Sequence, residues 1–120
     1  MKIKGFTVIE LIIIIIILGI LGIIAIPRYI KLAKNAETAT VKAYTAILRA
    51  AATITYANVA LGNIPGSTTG DINITSVYKN LEETGGIKIS GKDYFTAVIR
   101  GKKYRWRYIP PLEVKEAQEY

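Results

Sequence analysis

The 120-residue sequence contains no cysteine and no histidine. Without cysteine there is no disulfide, no thiolate metal site and no cysteine nucleophile. Without histidine the commonest general base near neutral pH and the commonest zinc ligand are both missing, and Ser-His-Asp chemistry cannot be built. Neither a GxxxxGK(S/T) nor a GxGxxG loop occurs, so the two glycine-rich phosphate cradles are absent as well. Acidic residues are few: nine Asp plus Glu against sixteen Lys plus Arg, a formal net charge of +7. Asp71 and Asp93 are isolated, and Glu113, Glu116 and Glu119 lie at helical spacing rather than in an acid-rich loop. Together these absences argue against an enzyme and predict neither a cofactor nor a metal.

What is abundant is apolar, and it is unevenly placed. Phe6 to Ile26 is 21 residues with one charge, Glu10. As a helix this stretch rises about 31 Å, close to the ~30 Å hydrocarbon core of a bilayer. A cleaved secretory signal is the competing reading. Against it, the apolar region exceeds the usual ~7–15 residues and no small-x-small cleavage site follows. Instead Pro27 and Arg28 lead straight into a long helical pattern.

Lys4-Gly5-Phe6-Thr7-Val8-Ile9-Glu10-Leu11, then the uninterrupted apolar run, then Pro27, resembles the N-terminus of a type IV prepilin. The short basic leader ending in Gly5, the aromatic Phe6 and the Glu five positions into the mature chain occur together. The resemblance covers about the first 30 residues, and pseudopilins of type II secretion share the same signature. It implies cleavage by a prepilin peptidase between Gly5 and Phe6 and N-methylation of Phe6. The mature chain is then 115 residues, Phe6 to Tyr120, and loss of Lys2 and Lys4 lowers its net charge from +7 to +5. It further implies an inner-membrane subunit with a cytoplasmic leader. Assembly into a homo-oligomeric helical filament would use an assembly ATPase, a platform protein and a secretin. Counting charges around the span, with Lys2 and Lys4 on one side and Arg28, Lys31 and Lys34 on the other, favours the opposite topology.

Glu10 is the informative residue of the run. A carboxylate in lipid is costly, ~2.5–3.5 kcal/mol at the bilayer centre and less near an interface. It either reaches a headgroup or finds a partner. The resemblance implies the second: pairing with the Phe6 amine of a neighbouring subunit. One donor and one acceptor per copy, satisfied only by another copy, is heterologous matching, and that propagates into a helical filament. Gly19 and Gly22 read either as a close-packing face between helices or, with Pro27, as a segment that loses helicity in the assembled filament, which the resemblance favours. The third alternative is a plain proline kink in an intact helix.

Beyond Pro27, Ile30, Ala33, Val41, Tyr44, Ile47, Leu48, Ala51, Ile54 and Ala57 follow the three-four spacing of an amphipathic helix. Lys31, Lys34, Lys42 and Arg49 mark the opposite face, and Gly62 is the expected stop. Continuous with the apolar run, this helix would reach about 55 residues, roughly 80 Å. Residues 63–86 read as a loop with one short helix from Thr75, ended by Gly85-Gly86. Asn73-Ile74-Thr75 matches a glycosylation acceptor and is read as chance. Residues 87–109 read as three antiparallel strands, the last of them strictly alternating. It would point Tyr104, Trp106 and Tyr108 inward against the helix, and Lys103, Arg105 and Arg107 outward. Residues 110–120 read as a short polar tail with a turn or two of helix.

The expected fold class is therefore α+β, as in pilins. A long N-terminal helix, its membrane half at 6–27 and its amphipathic half at 28–62, packs on a small antiparallel sheet of about three strands. Residues 1–5 are the leader. The expected function is structural: a subunit, the major one, of a type IV pilus-like filament of the kind that serves motility or adhesion. A pseudopilin is the alternative; it is disfavoured because no acid-rich calcium loop is present. A third reading, a membrane-anchored nucleic-acid-binding protein, rests on cations interleaved with aromatics at 103–108. Alternation weakens it, because inward aromatics cannot also stack on bases. Lys103, Arg105 and Arg107 would still give weak, salt-sensitive affinity for DNA or anionic surfaces.

Overall fold

The structure is a computed structural model that describes residues 5–81 and 85–120. It has a long N-terminal helix and a small antiparallel sheet, the α+β arrangement expected. The chain divides into two compact units, one ending at Ala36 and the other running from Glu37 to Tyr120.

Helix α1 spans Val8–Ala60 without interruption and contains Pro27. In the first unit its large apolar side chains are all open to the surroundings, from Ile14 at 41% to Ile23 at 76% exposure. Its C-terminal end is fixed by Gly62 in the left-handed region, φ 72°. The Gly62 N–H donates to Val59 O at 3.1 Å and the Asn63 N–H to Asn58 O at 3.0 Å, the paired bonds of a Schellman stop.

In the second unit, α1 packs on the sheet through Thr45, Leu48, Ala51, Ala52, Thr55 and Val59, with Val41, Tyr44 and Tyr56 at the margin. This corrects the sequence expectation, because the packed stripe is rotated. Ile47 and Ile54, expected inside, are 43% and 52% exposed, while two threonines are buried. The threonines can be there because their hydroxyls bond back to the helix, Thr45 to Val41 O at 3.0 Å and Thr55 to Ala51 O at 2.8 Å. With Ala51 and Ala52 they form a thin surface on which the large sheet residues can rest.

The connection after α1 holds one turn of 3₁₀ helix, Thr69–Asp71, and helix α2, Ile74–Lys79. Asp71 accepts from the Thr68 N–H at 2.7 Å and its hydroxyl at 2.9 Å, which holds the Asp71 carboxyl below its ordinary value. Asn73 caps α2 by accepting from the Ser76 N–H at 3.0 Å. That capping gives Asn73 a structural role the acceptor pattern did not anticipate. The helix ends at Lys79, earlier than Gly85 suggested; residues 82–84 lie outside the described residues.

Strands β1 (Lys88–Ser90), β2 (Tyr94–Ile99) and β3 (Lys102–Ile109) form the expected meander. The β2–β3 hairpin closes in two residues, Arg100 and Gly101, at φ 52° and 79°. Both angles are positive, as a type I′ turn requires. The expected tail is where the sequence reading fails. Residues 110–120 are not helical; Pro110-Pro111, joined by a cis bond, reverse the chain. Strands β4 (Glu113–Val114) and β5 (Gln118–Glu119) then run back along β3. Helical spacing of three glutamates is outweighed by Val114, which is 4% exposed, and by the free ladder of β3, to which Lys115 and Tyr120 also donate.

The core lies between α1 and the inward sheet face. Trp106, Phe95 and Tyr108 are its largest members, at 0%, 0% and 1% exposure. Tyr44 meets Trp106 with centroids 6.0 Å apart, and Phe95 meets Tyr108 edge-on at 6.1 Å.

Candidate functional site

The first candidate is the start of α1. Phe6 is 82% exposed. Thr7 stands at the N-cap and Glu10 three residues on. The Thr7 N–H donates to Glu10 Oε2 at 3.1 Å, and the Glu10 N–H donates to Thr7 Oγ1 at 3.3 Å. This is a reciprocal capping box, and it gives the Glu10 carboxylate a role within its own chain. The signal was in the sequence: Thr-x-x-Glu directly before an apolar run is the box's signature, and attention to the charge alone missed it. Gly5 is at the edge of the described residues, and Lys2 and Lys4 lie outside them.

Gly19, Gly22 and Pro27 all lie within continuous helix in this single chain. A Cβ added at Gly19 or Gly22 would meet no atom within 4 Å. Nothing among the described residues demands glycine at either place. The helix holding them is long and apolar enough to cross a membrane.

The second candidate is the outward face of the sheet. Register sets its membership: Thr96 lies opposite Lys88 and Arg105, Tyr94 opposite Arg107, and Val98 opposite Lys103. Lys103, Arg105 and Arg107 therefore share one face, as alternation predicts, and Lys88 joins them from β1. Alternation also placed Trp106 and Tyr108 inside. What it did not supply is two other rings on the cationic face. The Arg105 guanidinium carbon sits 5.1 Å from the Tyr94 ring centroid and 5.4 Å from that of Tyr120. Tyr94 was legible, since it alternates with inward Phe95, Ala97 and Ile99. Tyr120 was not, because the return of the tail along β3 was not foreseen.

Between helix and sheet edge lies a third polar cluster. Tyr104 donates its hydroxyl to Glu37 Oε1 at 2.5 Å, and Lys102 Nζ lies 3.1 Å from the same oxygen. The Tyr104 hydroxyl and then the Lys102 ammonium hold the Glu37 carboxyl below its ordinary range. The Tyr104 hydroxyl is in turn pushed up to about 12, first by its bond to Glu37 and then by burial.

Among the described residues no group of three or more His, Cys, Asp or Glu side chains is placed to hold a metal ion. No protein-family model, curated protein or solved structure matches the chain.

Proposed function

We propose that the chain is the structural subunit of a type IV pilus-like filament. It is held in a membrane by the first half of α1 and assembled through that half once the leader has been removed between Gly5 and Phe6. The observation that carries this reading is the pairing of two features at one end of the molecule. One is the prepilin-like Gly5-Phe6 junction with Glu10. The other is an unbroken helix whose large apolar side chains are exposed from Val8 through Leu32. A separately packed unit needs no such appendage for its own core. Lipid before assembly and neighbouring copies afterwards would each cover it. Gly19 and Gly22, which no contact among the described residues requires, suit close approach by another helix. By the resemblance, the subunit resides in the inner membrane and then in an extracellular filament. Its partners are a prepilin peptidase, an assembly ATPase with its platform, and a secretin.

In this proposal the Glu10 carboxylate exchanges Thr7 for the amine of a neighbour's Phe6. The capping box makes the test sharper, because glutamine serves a capping box as well as glutamate does. Glu10→Gln keeps the cap and drops the charge, whereas Glu10→Ala loses both. The expected result is a sharp fall in sheared filament relative to membrane-held subunit for both variants, read by immunoblot. Loss in Glu10→Ala with normal yield in Glu10→Gln would mean that capping, not ion pairing, is what assembly needs. Normal filament yield from Glu10→Ala would sink the assembly role.

A further inference from the structure

We infer that the outward face of the sheet is a binding site for single-stranded nucleic acid, made by Lys88, Lys103, Arg105 and Arg107 with the rings of Tyr94 and Tyr120. This goes beyond filament assembly and does not depend on it. The face lies wholly within the unit Glu37–Tyr120 and uses none of the residues from Phe6 to Pro27.

Among the described residues no acidic side chain pairs with the charge there, and only Arg105 is engaged, by two rings. Lys102, on the inward side of β3, is engaged by Glu37. Among the described residues, Lys88, Lys103, Arg105 and Arg107 make no salt bridge. The spacing is also suitable. Alternate residues of a strand repeat every ~6.6–6.8 Å, comparable to the step between phosphates along an extended single strand. Three cations in a row on β3 thus present a ladder to a backbone laid along it.

The rings supply what a simple basic patch lacks. The Arg105 guanidinium lies over the rings of both Tyr94 and Tyr120, and among the described residues its buried Nε has no hydrogen-bond acceptor. The guanidinium is held by ring faces, and it in turn fixes the rings. Tyr120 remains 58% exposed. Beside it opens a shallow cavity of about 370 Å³ lined by Lys88, Thr96, Val98, Lys103 and Tyr120. A flat base stacked on Tyr120 would rest over Val98, which is 66% exposed. Aromatic and cationic side chains sharing one sheet surface are a recurrent way to hold unpaired bases. A lipid headgroup layer or a base-free polyanion would use the cations and leave the ring idle. That difference is the basis of the test.

The full chain, purified in an uncharged detergent, is titrated into a fluorescein-labelled oligothymidylate and, separately, into labelled heparin, across a salt series. Polarisation reports binding, and Trp106 emission confirms that each variant is folded. Replacing Lys103 and Arg107 together with Gln should weaken both ligands. For the oligonucleotide it should also reduce the slope of log K against log salt by about 1.4, at ~0.7 per phosphate contact on a single strand. Tyr120→Ala should weaken oligothymidylate about fivefold or more and leave heparin unchanged, while Tyr120→Phe restores binding. No oligothymidylate binding by the wild type at about 50 mM salt would overturn the proposal, since phosphate contacts are strongest there. An oligonucleotide affinity indifferent to Tyr120→Ala would overturn it too, by reducing the face to a polyanion patch.

Discussion

Trp106 is the chain's single tryptophan and has no exposed surface, yet its indole N–H is not stranded. It donates to Thr45 Oγ1 at 2.8 Å, and the Thr45 hydroxyl in turn donates to Val41 O at 3.0 Å. One hydroxyl therefore closes both a helix–sheet contact and its own solvation requirement. Thr45→Val keeps the shape and removes the acceptor, leaving a buried donor unsatisfied. The expected cost is ~1–3 kcal/mol. Urea unfolding of the full chain in uncharged detergent, followed by Trp106 emission, measures it directly, and Thr45→Ser should recover most of the loss. An unchanged midpoint for Thr45→Val would show that the indole finds another acceptor. Such a residue was not legible in the sequence. A pattern reader scores threonine as polar and assigns the burial to Ile47 and Ile54. The deciding partner, Trp106, lies 61 positions away.

Elements were easier to read than their faces. A 53-residue helix, the β2–β3 hairpin and the inward turn of Trp106 and Tyr108 all follow from periodicity and from glycine at Gly62 and Gly101. The tail strands did not follow, because two-residue strands have no period to detect and exist only through the free edge of β3. The Glu37–Tyr104–Lys102 cluster joins α1 to β3 and was likewise invisible, and it makes a prediction in pH. The Glu37 carboxyl is held below its ordinary 4.5, chiefly by Tyr104. The folded chain therefore binds that proton more weakly than the unfolded chain. The stabilisation is present above about pH 4.5 and is lost as pH falls through the lower folded value. Tyr104 has the opposite sign: raised from 10.0 to about 12, it contributes below pH 10 and loses that contribution as pH rises toward 12. Glu37→Gln should flatten both limbs. The measurement is the difference in unfolding free energy between wild type and variant across pH, again by Trp106 emission. Parallel profiles would show that the cluster adds nothing to folding.

At the scale of the whole molecule, the mature N-terminus decides the functional proposal. Intact-mass analysis of surface-extracted protein should give a chain beginning at Phe6 and carrying one methyl group. A chain starting near Arg28 would identify a secretory signal and overturn the filament proposal. The candidate segment could be singled out from the sequence alone, because Gly5, Phe6 and Glu10 lie close together in it and need no fold to bring them together. The cationic face needed the fold, since Lys88, Arg105 and Tyr120 meet only through strand register.

The return of the tail along β3 has one further consequence. A sheet offers other copies of itself an open ladder at each edge, and such ladders are where chains stick together irreversibly. Here one side of β3 is paired with β2 and the other is occupied by the chain's own last residues. The opposite margin of the meander is β1, three residues long and bearing Lys88. The edges left open, β1 and the outer sides of the two-residue β4 and β5, are too short to template long pairing between copies crowded side by side. A protein whose apolar helix invites association is guarded, at its sheet, against associating the wrong way.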